Sequence, residues 1–229
     1  MPVMPLHRHQ LARLSPEGWN RIRQRHWDAN AAECLAHWAA QQLPVVVTRQ
    51  ARDVAISNVI AMGLPTSTQW GRRRLALAVP RTDVLYFDEF PLALRVEPQL
   101  ARAARPGWRR LCAALQGCGA TARIYGSFGW QQLCGLRYVH ATSDLDLAIA
   151  VTRRDQADEV VARLQEAGDA LPRLDGELTF GDGRAVAWRE WAAWRSGRTR
   201  DVLVKHLHGI FLTREQIDGD ELVAEPGLP

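Results

Sequence analysis

Residues 122–151 read ARIYGSFGWQQLCGLRYVHATSDLDLAIAV, and the order of elements in this stretch decides the fold. Ala122 to Tyr125 has the apolar, β-branched character of a short strand, Gly126-Ser127 is a turn that opens a helix near Trp130, and Leu145 to Val151 is a second strand. The same alternation continues downstream. A helix is expected over Asp155 to Ala167, a strand over Leu174 to Phe180, a helix around Trp188 to Trp194, and a last strand at Val202-Leu203-Val204. Upstream, after a short polar lead, residues 31–42 (AAECLAHWAAQQ) carry helix formers at helical spacing. Leu43-Pro44 then breaks the pattern before the strand Val45 to Thr48. Apolar runs at Val54 to Ile60 and Leu75 to Val79, separated by Gly63, Pro65 and Arg72-Arg73-Arg74, complete a small unit, and a helix follows near Trp108 to Gln116. Gly117 and Gly119 mark the boundary. The reading is therefore a two-domain α+β protein, with an α+β domain at 1–118 and a domain at 119–229 built on a mixed sheet with flanking helices.

The 229 residues are 47% apolar and 24% charged, an ordinary globular composition that excludes a largely disordered, collagenous or coiled-coil chain. No run approaches the roughly 18 apolar residues of a membrane helix, and His7, Arg8, His9 and Gln10 leave no room for an apolar signal core. A cytoplasmic protein without membrane contact is expected. Cys34, Cys112, Cys118 and Cys134 form no C-x-x-C pair, so they are read as reduced thiols. Charge is unevenly spread: 16 arginines face 8 acidic side chains in residues 1–118, against 13 cationic and 17 acidic in residues 119–229. A basic front half suits an anionic substrate or partner, because guanidinium binds phosphate and carboxylate in a bidentate fork. The excess alone does not call for nucleic acid.

Chemistry concentrates in Gly126-Ser127 and Ser143-Asp144-Leu145-Asp146-Leu147. Side chains alternate along a strand, so Asp144 and Asp146 project to one side while Leu145 and Leu147 enter the core. Two carboxylates held together repel unless protonated or bridged by a cation, and oxygen-only ligands select Mg²⁺ or Mn²⁺. Gly126 lets the backbone approach a ligand closely, and Ser127 offers a hydroxyl and an amide at a helix start, where phosphate is favoured. Leu174-Asp175-Gly176-Glu177-Leu178 supplies the third carboxylate of a two-metal site, Asp175 in preference to Glu177. Singly, a D-x-D or a Gly-Ser turn is a common structural feature; in this order, on successive strands, they point to a catalytic metal site. Lys205, the one lysine, follows an apolar strand and is read either as a point charge for a polyphosphate or as a surface residue. Trp188, Trp191 and Trp194 recur every three residues, which on a helix is first a core stripe and second a stacking surface. His206 and His208, without partners nearby, and Cys134 are read as structural.

This order of motifs resembles the polymerase-beta-like nucleotidyltransferase superfamily, in which a Gly-Ser helix start binds a triphosphate and three carboxylates hold two magnesium ions. The wider context, Tyr125-Gly126-Ser127-Phe128-Gly129-Trp130-Gln131-Gln132-Leu133 with Gly135-Leu136, Tyr138 and Ser143 to Leu147, is similar to the malonate decarboxylase holo-acyl-carrier-protein synthase (phosphoribosyl-dephospho-CoA transferase) family. Leu43 to Val47, Asp175-Gly176-Glu177, Val186, Trp188-Arg189-Glu190 and Val202 to Lys205 resemble the same family, so the similarity spans most of the chain. The resemblance implies an enzyme that takes 2'-(5''-triphosphoribosyl)-3'-dephospho-CoA, attaches its phosphoribosyl-dephospho-CoA moiety to a serine of the apo acyl-carrier-protein subunit of malonate decarboxylase, and releases diphosphate. It places the paired catalytic aspartates on Asp144 and Asp146; on the reading of the residues above, Asp175 completes the Mg²⁺ or Mn²⁺ set, Gly126 and Ser127 bind the triphosphate, and Lys205 either neutralises it or lies at the surface. Two rivals remain at this level: another Mg²⁺-dependent enzyme that transfers AMP to a small molecule, RNA or protein, and an inactive basic binding protein.

Overall fold

Capping residues and alternating burial build the first part of the chain. The structure, a computed structural model, describes residues 5–51, 58–167 and 171–214. Ser15 starts α1 (Pro16–Arg23) by accepting from the Gly18 N–H at 3.0 Å, with Pro16 in the first turn, where its missing N–H leaves no bond unmade. Asp28 starts α2 (Ala29–Ala40) in the same way, through the Ala31 N–H at 3.1 Å. Strands β1 (Leu11–Leu14), β2 (Val45–Val47), β3 (Val59–Pro65), β4 (Arg74–Pro80) and β5 (Val84–Asp88) form an antiparallel sheet in the order β4-β3-β2-β1-β5. On β4, Leu75, Leu77 and Val79 are buried and Arg74, Ala76 and Ala78 exposed, the period-two pattern of a strand with one wet face. Trp19 and Ile22 of α1 and Leu35 and Trp38 of α2 are buried in this unit's core, α1 packing on β1, β4 and α2. Residues 127–141 and 206–209 belong to the same unit. There the Tyr138 hydroxyl donates to the Pro65 carbonyl at 2.7 Å, and the Gln131 side-chain oxygen accepts from the Tyr138 and Val139 N–H groups.

The second unit takes the described residues of 92–126, 142–205 and 210–214. Its elements are α3 (Arg105–Gly117), β6 (Thr121–Ile124), β7 (Leu145–Ala150), α5 (Arg154–Glu166), β8 (Leu174–Thr179), β9 (Ala185–Ala187), α6 (Trp188–Arg195), β10 (Val202–His206) and β11 (Gly209–Thr213), while α4 (Gly126–Cys134) follows β6 in the chain. The six strands run β11-β10-β9-β8-β7-β6. β6 pairs antiparallel with β7, β8 with β9 and β9 with β10, while β7 and β8 are parallel, so the sheet is mixed. The parallel pair requires a crossover, and α5 supplies it. Leu145, Leu147, Ile149 and Leu178 are fully buried, and Val160, Val161 and Leu164 form the buried stripe of α5. Among the described residues, no helix is long and apolar enough to cross a membrane.

The expected helices and strands from 29 onward form within a few residues of their anticipated limits, and the α+β class holds. Four features differ. The polar lead contains β1 and α1, because Leu11, Ala12 and Leu14 are buried beside β2 and β5 despite the surrounding His and Arg. Gly63 and Pro65 lie inside β3 rather than ending a strand, and of the expected run Val54 to Ile60, residues 54–57 lie outside the described residues. Short strands β5, β9 and β11 join the sheets. Finally, the compact units change over at Pro91/Leu92 rather than at 118/119. Trp108, Leu111 and Leu115, the buried face of α3, pack with residues 93–99, β6 and α5, and the Trp108 indole donates to the Ala93 carbonyl at 3.1 Å.

Gly176 is the tightest point of the parallel pair. Its φ of +131° is closed to L side chains, and a Cβ there would collide with the Leu147 backbone on the neighbouring strand. Gly176→Ala is therefore expected to destabilise the protein by more than about 3 kcal/mol, read as a drop in the urea midpoint or failure to accumulate folded. A midpoint within about 0.5 kcal/mol of the parent would contradict this packing.

Candidate active site

β7 and β8 bring the predicted acids together by register alone. Cα pairing places Leu145 beside Leu174, Asp146 beside Asp175 and Leu147 beside Gly176. Because side chains alternate, Asp146 and Asp175 share a face while Leu145, Leu147, Leu174 and Leu178 fill the core. The Leu145 N–H donates to the Arg173 carbonyl at 2.9 Å and fixes the strand start that carries Asp144. The Tyr125 N–H donates to the Asp146 carbonyl at 2.9 Å and ties the end of β6 to the same place. Gly126, at φ +57°, lies against the Asp146 carboxylate so closely that a Cβ would occupy the position of its Oδ2 atom. Ser127 is the next residue, in the first turn of α4.

The three carboxylates feel one another. Desolvation first, then the charges of Asp175 and Asp144, push the Asp146 carboxyl up to about 6, and Arg173 opposes the rise. Arg173 was not singled out in the sequence, although its position two residues before Asp175 puts it on the same strand face. Its guanidinium lies 3.5 Å from Asp144 Oδ2 and 3.7 Å from Asp175 Oδ2. One cation thus spans two of the three acids. Asp175 Oδ1 also accepts from the Gly176 N–H at 2.9 Å, which orients it at the strand start.

This donor set fits a hard divalent cation in kind: all ligands are carboxylate oxygens, and their mutual repulsion needs a positive counterpart. Among the described residues, no group of three or more His, Cys, Asp or Glu side chains is arranged to hold a metal ion by itself. Mg²⁺ does not need one, since it is commonly held by one or two carboxylates with waters and substrate phosphates completing the shell. Asp144, Asp146 and Asp175 are the residues placed to hold it.

Other candidates find different partners. Glu177, the alternative third acid, is 2% exposed, and the Lys205 ammonium lies 3.2 Å from its Oε2. Lys205, read in the sequence as a polyphosphate contact, is thus engaged in neutralising a buried carboxylate. Arg73 of the basic cluster grips Asp28 through two bonds of 2.9 and 2.8 Å. Trp191 is fully buried and donates to Asp158 at 2.8 Å, whereas Trp188 borders a cavity. The His206 and His208 rings lie 5.6 Å apart. Burial pushes the Cys34 and Cys112 thiols up to about 12 and raises Cys134, whose Sγ donates to the Trp130 carbonyl, so these three stay protonated and unreactive at neutral pH.

The comparisons with known proteins cover nearly the whole chain. Residues 7–90 match the family model "Phosphoribosyl-dephospho-CoA transferase MdcG N-terminal domain", and residues 91–216 match its C-terminal counterpart. A protein of Bradyrhizobium diazoefficiens named phosphoribosyl-dephospho-CoA transferase is 33% identical over 209 residues, 91% of this chain and 90% of its own length. Proteins of the same name from Xanthomonas euvesicatoria (39% over 174 residues; 75% of this chain, 78% of that one) and Pseudomonas putida (34% over 180; 75% and 81%) are similar as well. No solved structure matches the chain.

A raised carboxyl makes a signed prediction. The folded state holds the Asp146 proton more tightly than the unfolded chain, so the stability it confers is full below about pH 4 and lost as pH rises through about 6. Asp146→Asn should then stabilise the protein at pH 8 in a metal-free buffer by about 1–2 kcal/mol, with little effect at pH 4. Urea denaturation at both pH values checks this; equal midpoints at pH 8 would contradict the clustering of charge.

Proposed function

The chain belongs to the phosphoribosyl-dephospho-CoA transferase family and is a transferase, and we propose that it moves the phosphoribosyl-dephospho-CoA group from 2'-(5''-triphosphoribosyl)-3'-dephospho-CoA onto a serine of the apo carrier subunit of malonate decarboxylase, in the cytoplasm. The observation that carries the reading is the juxtaposition of Asp144, Asp146 and Asp175 across the β7–β8 pair, with Gly126 pressed against Asp146. In the proposed step, the acceptor serine oxygen forms a bond to the α-phosphorus of the triphosphate. The α–β phosphoanhydride breaks, diphosphate leaves, and the hydroxyl proton passes to the carboxylate cluster. Asp144, Asp146 and Asp175 would hold Mg²⁺ or Mn²⁺, which when bound supplies charge neutralisation at the attacked phosphoryl group and at the leaving diphosphate.

The chain's own residues account for the rest. The carboxylate face gathers negative charge that attracts a cation, which in turn would attract phosphate, and Asp146, kept less acidic than usual by burial and its neighbours, gains most from a counter-charge. Arg173, already on Asp144 and Asp175, is placed to follow charge as it shifts to the departing diphosphate. Gly126 leaves space for the Asp146 carboxylate, and Ser127 in the first turn of α4 offers a hydroxyl and an amide to the triphosphate. Lys205 pairs with Glu177, and its ammonium has further donors for a phosphate contact.

Asp144→Asn removes one charge from a half-exposed position without a buried gap, so the fold should be retained. Transfer to the carrier is expected to fall by at least about 100-fold with an unchanged far-ultraviolet spectrum and melting temperature. Activity within a few-fold of the parent would overturn the assignment of the acidic face.

A further inference from the structure

Beside the acidic face, a cavity of about 680 Å³ opens between α6, the end of α5 and the start of β8. This size lies within the range of small-molecule sites. Arg173, Arg189 and Arg198 line it together with Trp188, Ala192 and Ala193, and among the described residues that line it none is acidic. Arg189 is held in place: its Nη2 donates to the Leu174 carbonyl at 2.9 Å, and its Cζ lies 4.2 Å over the Trp188 ring. Trp188 is 5% exposed, and its buried indole N–H has no hydrogen-bond partner. Arg173 belongs to both places, since it lines the cavity and its guanidinium meets Asp144 and Asp175.

We propose that this cavity is the subsite for the nucleotide diphosphate arm of the dephospho-CoA moiety, an inference that rests on the transferase reading above. The substrate carries two polyphosphates with opposite needs. The triphosphate reacts, and its charge belongs beside the carboxylates and their cation. The internal diphosphate between adenosine and pantetheine does not react and must be neutralised without a metal, which is what guanidinium forks provide. Trp188 and the two alanines give the adenine-bearing arm an apolar wall.

Calorimetry with dephospho-CoA in metal-free buffer tests the assignment, using the full chain and two variants at exposed or half-exposed positions, Arg198→Glu and Ala193→Phe. The first reverses charge; the second fills space without changing charge. The parent should bind dephospho-CoA, more weakly as salt is raised, and each variant should bind it at least about tenfold more weakly. Binding of inorganic triphosphate with Mn²⁺ should be the same in all three. Dephospho-CoA binding that is absent in the parent, or unchanged in both variants, overturns the subsite, as does an equal loss of triphosphate binding. The transferase reading fails separately: if the parent binds dephospho-CoA, the variants do not, and no carrier is ever modified, the cavity remains a nucleotide diphosphate site and the proposed reaction falls. If the carrier is modified with an unchanged KM in both variants, the reaction stands and the subsite falls.

Discussion

The in-register parallel pairing of β7 with β8 is the constraint from which the site follows. It sets Asp146 beside Asp175 and, one residue on, Leu147 beside Gly176. That second pair explains the first: with φ at +131° and no room for a Cβ, Gly176 lets β8 come close enough to hold two like charges side by side. A slip of one residue would send Asp146 toward the core and Leu145 to the surface, so the buried leucines enforce the register that the carboxylates use. The α5 crossover and its buried valines serve the same end, because a parallel pair exists only if the chain returns over the sheet.

Charge is then distributed by the same two strands. The cations around β8 sort the acids there into two sets. Arg173 spans Asp144 and Asp175 near solvent, where a cation or phosphate can compete with it. Lys205, itself partly exposed, neutralises Glu177, whose carboxylate is buried. The first set suits chemistry and the second suits the fold. This division also favours Asp175 over Glu177 as the proposed third acid, since Glu177 is buried with its cation whereas Asp175, beside Arg173, is open to solvent.

Much of this was legible in the sequence. The D-x-D spacing of Asp144 and Asp146 around buried Leu145, and the Gly126-Ser127 turn after an apolar strand, carry local rules of alternation and helix starts that hold whatever surrounds them. Asp175 could be anticipated as an acid on a third strand, but its register opposite Asp146 depends on pairing, which no local pattern encodes. The partners of the cations were not legible for the same reason: Lys205 lies 28 positions from Glu177, and Arg173 lies 29 from Asp144. β1 and α1 escaped notice because Leu11, Ala12 and Leu14 are interleaved with polar residues and become strand only beside β2 and β5. Gly117 and Gly119 looked like a linker, yet they end a helix whose Trp108 and Leu111 are committed to the second unit.

The central claim is that the acidic face of β7 and β8 transfers a whole phosphoribosyl-dephospho-CoA group to a carrier serine. Intact mass of the purified apo carrier subunit, after incubation with this protein, Mg²⁺ and triphosphoribosyl-dephospho-CoA, with ATP in a parallel tube, tests it most directly. The account predicts a gain equal to phosphoribosyl-dephospho-CoA in the first tube and none in the second. A gain of AMP in the ATP tube, or an unmodified carrier in both, would contradict it.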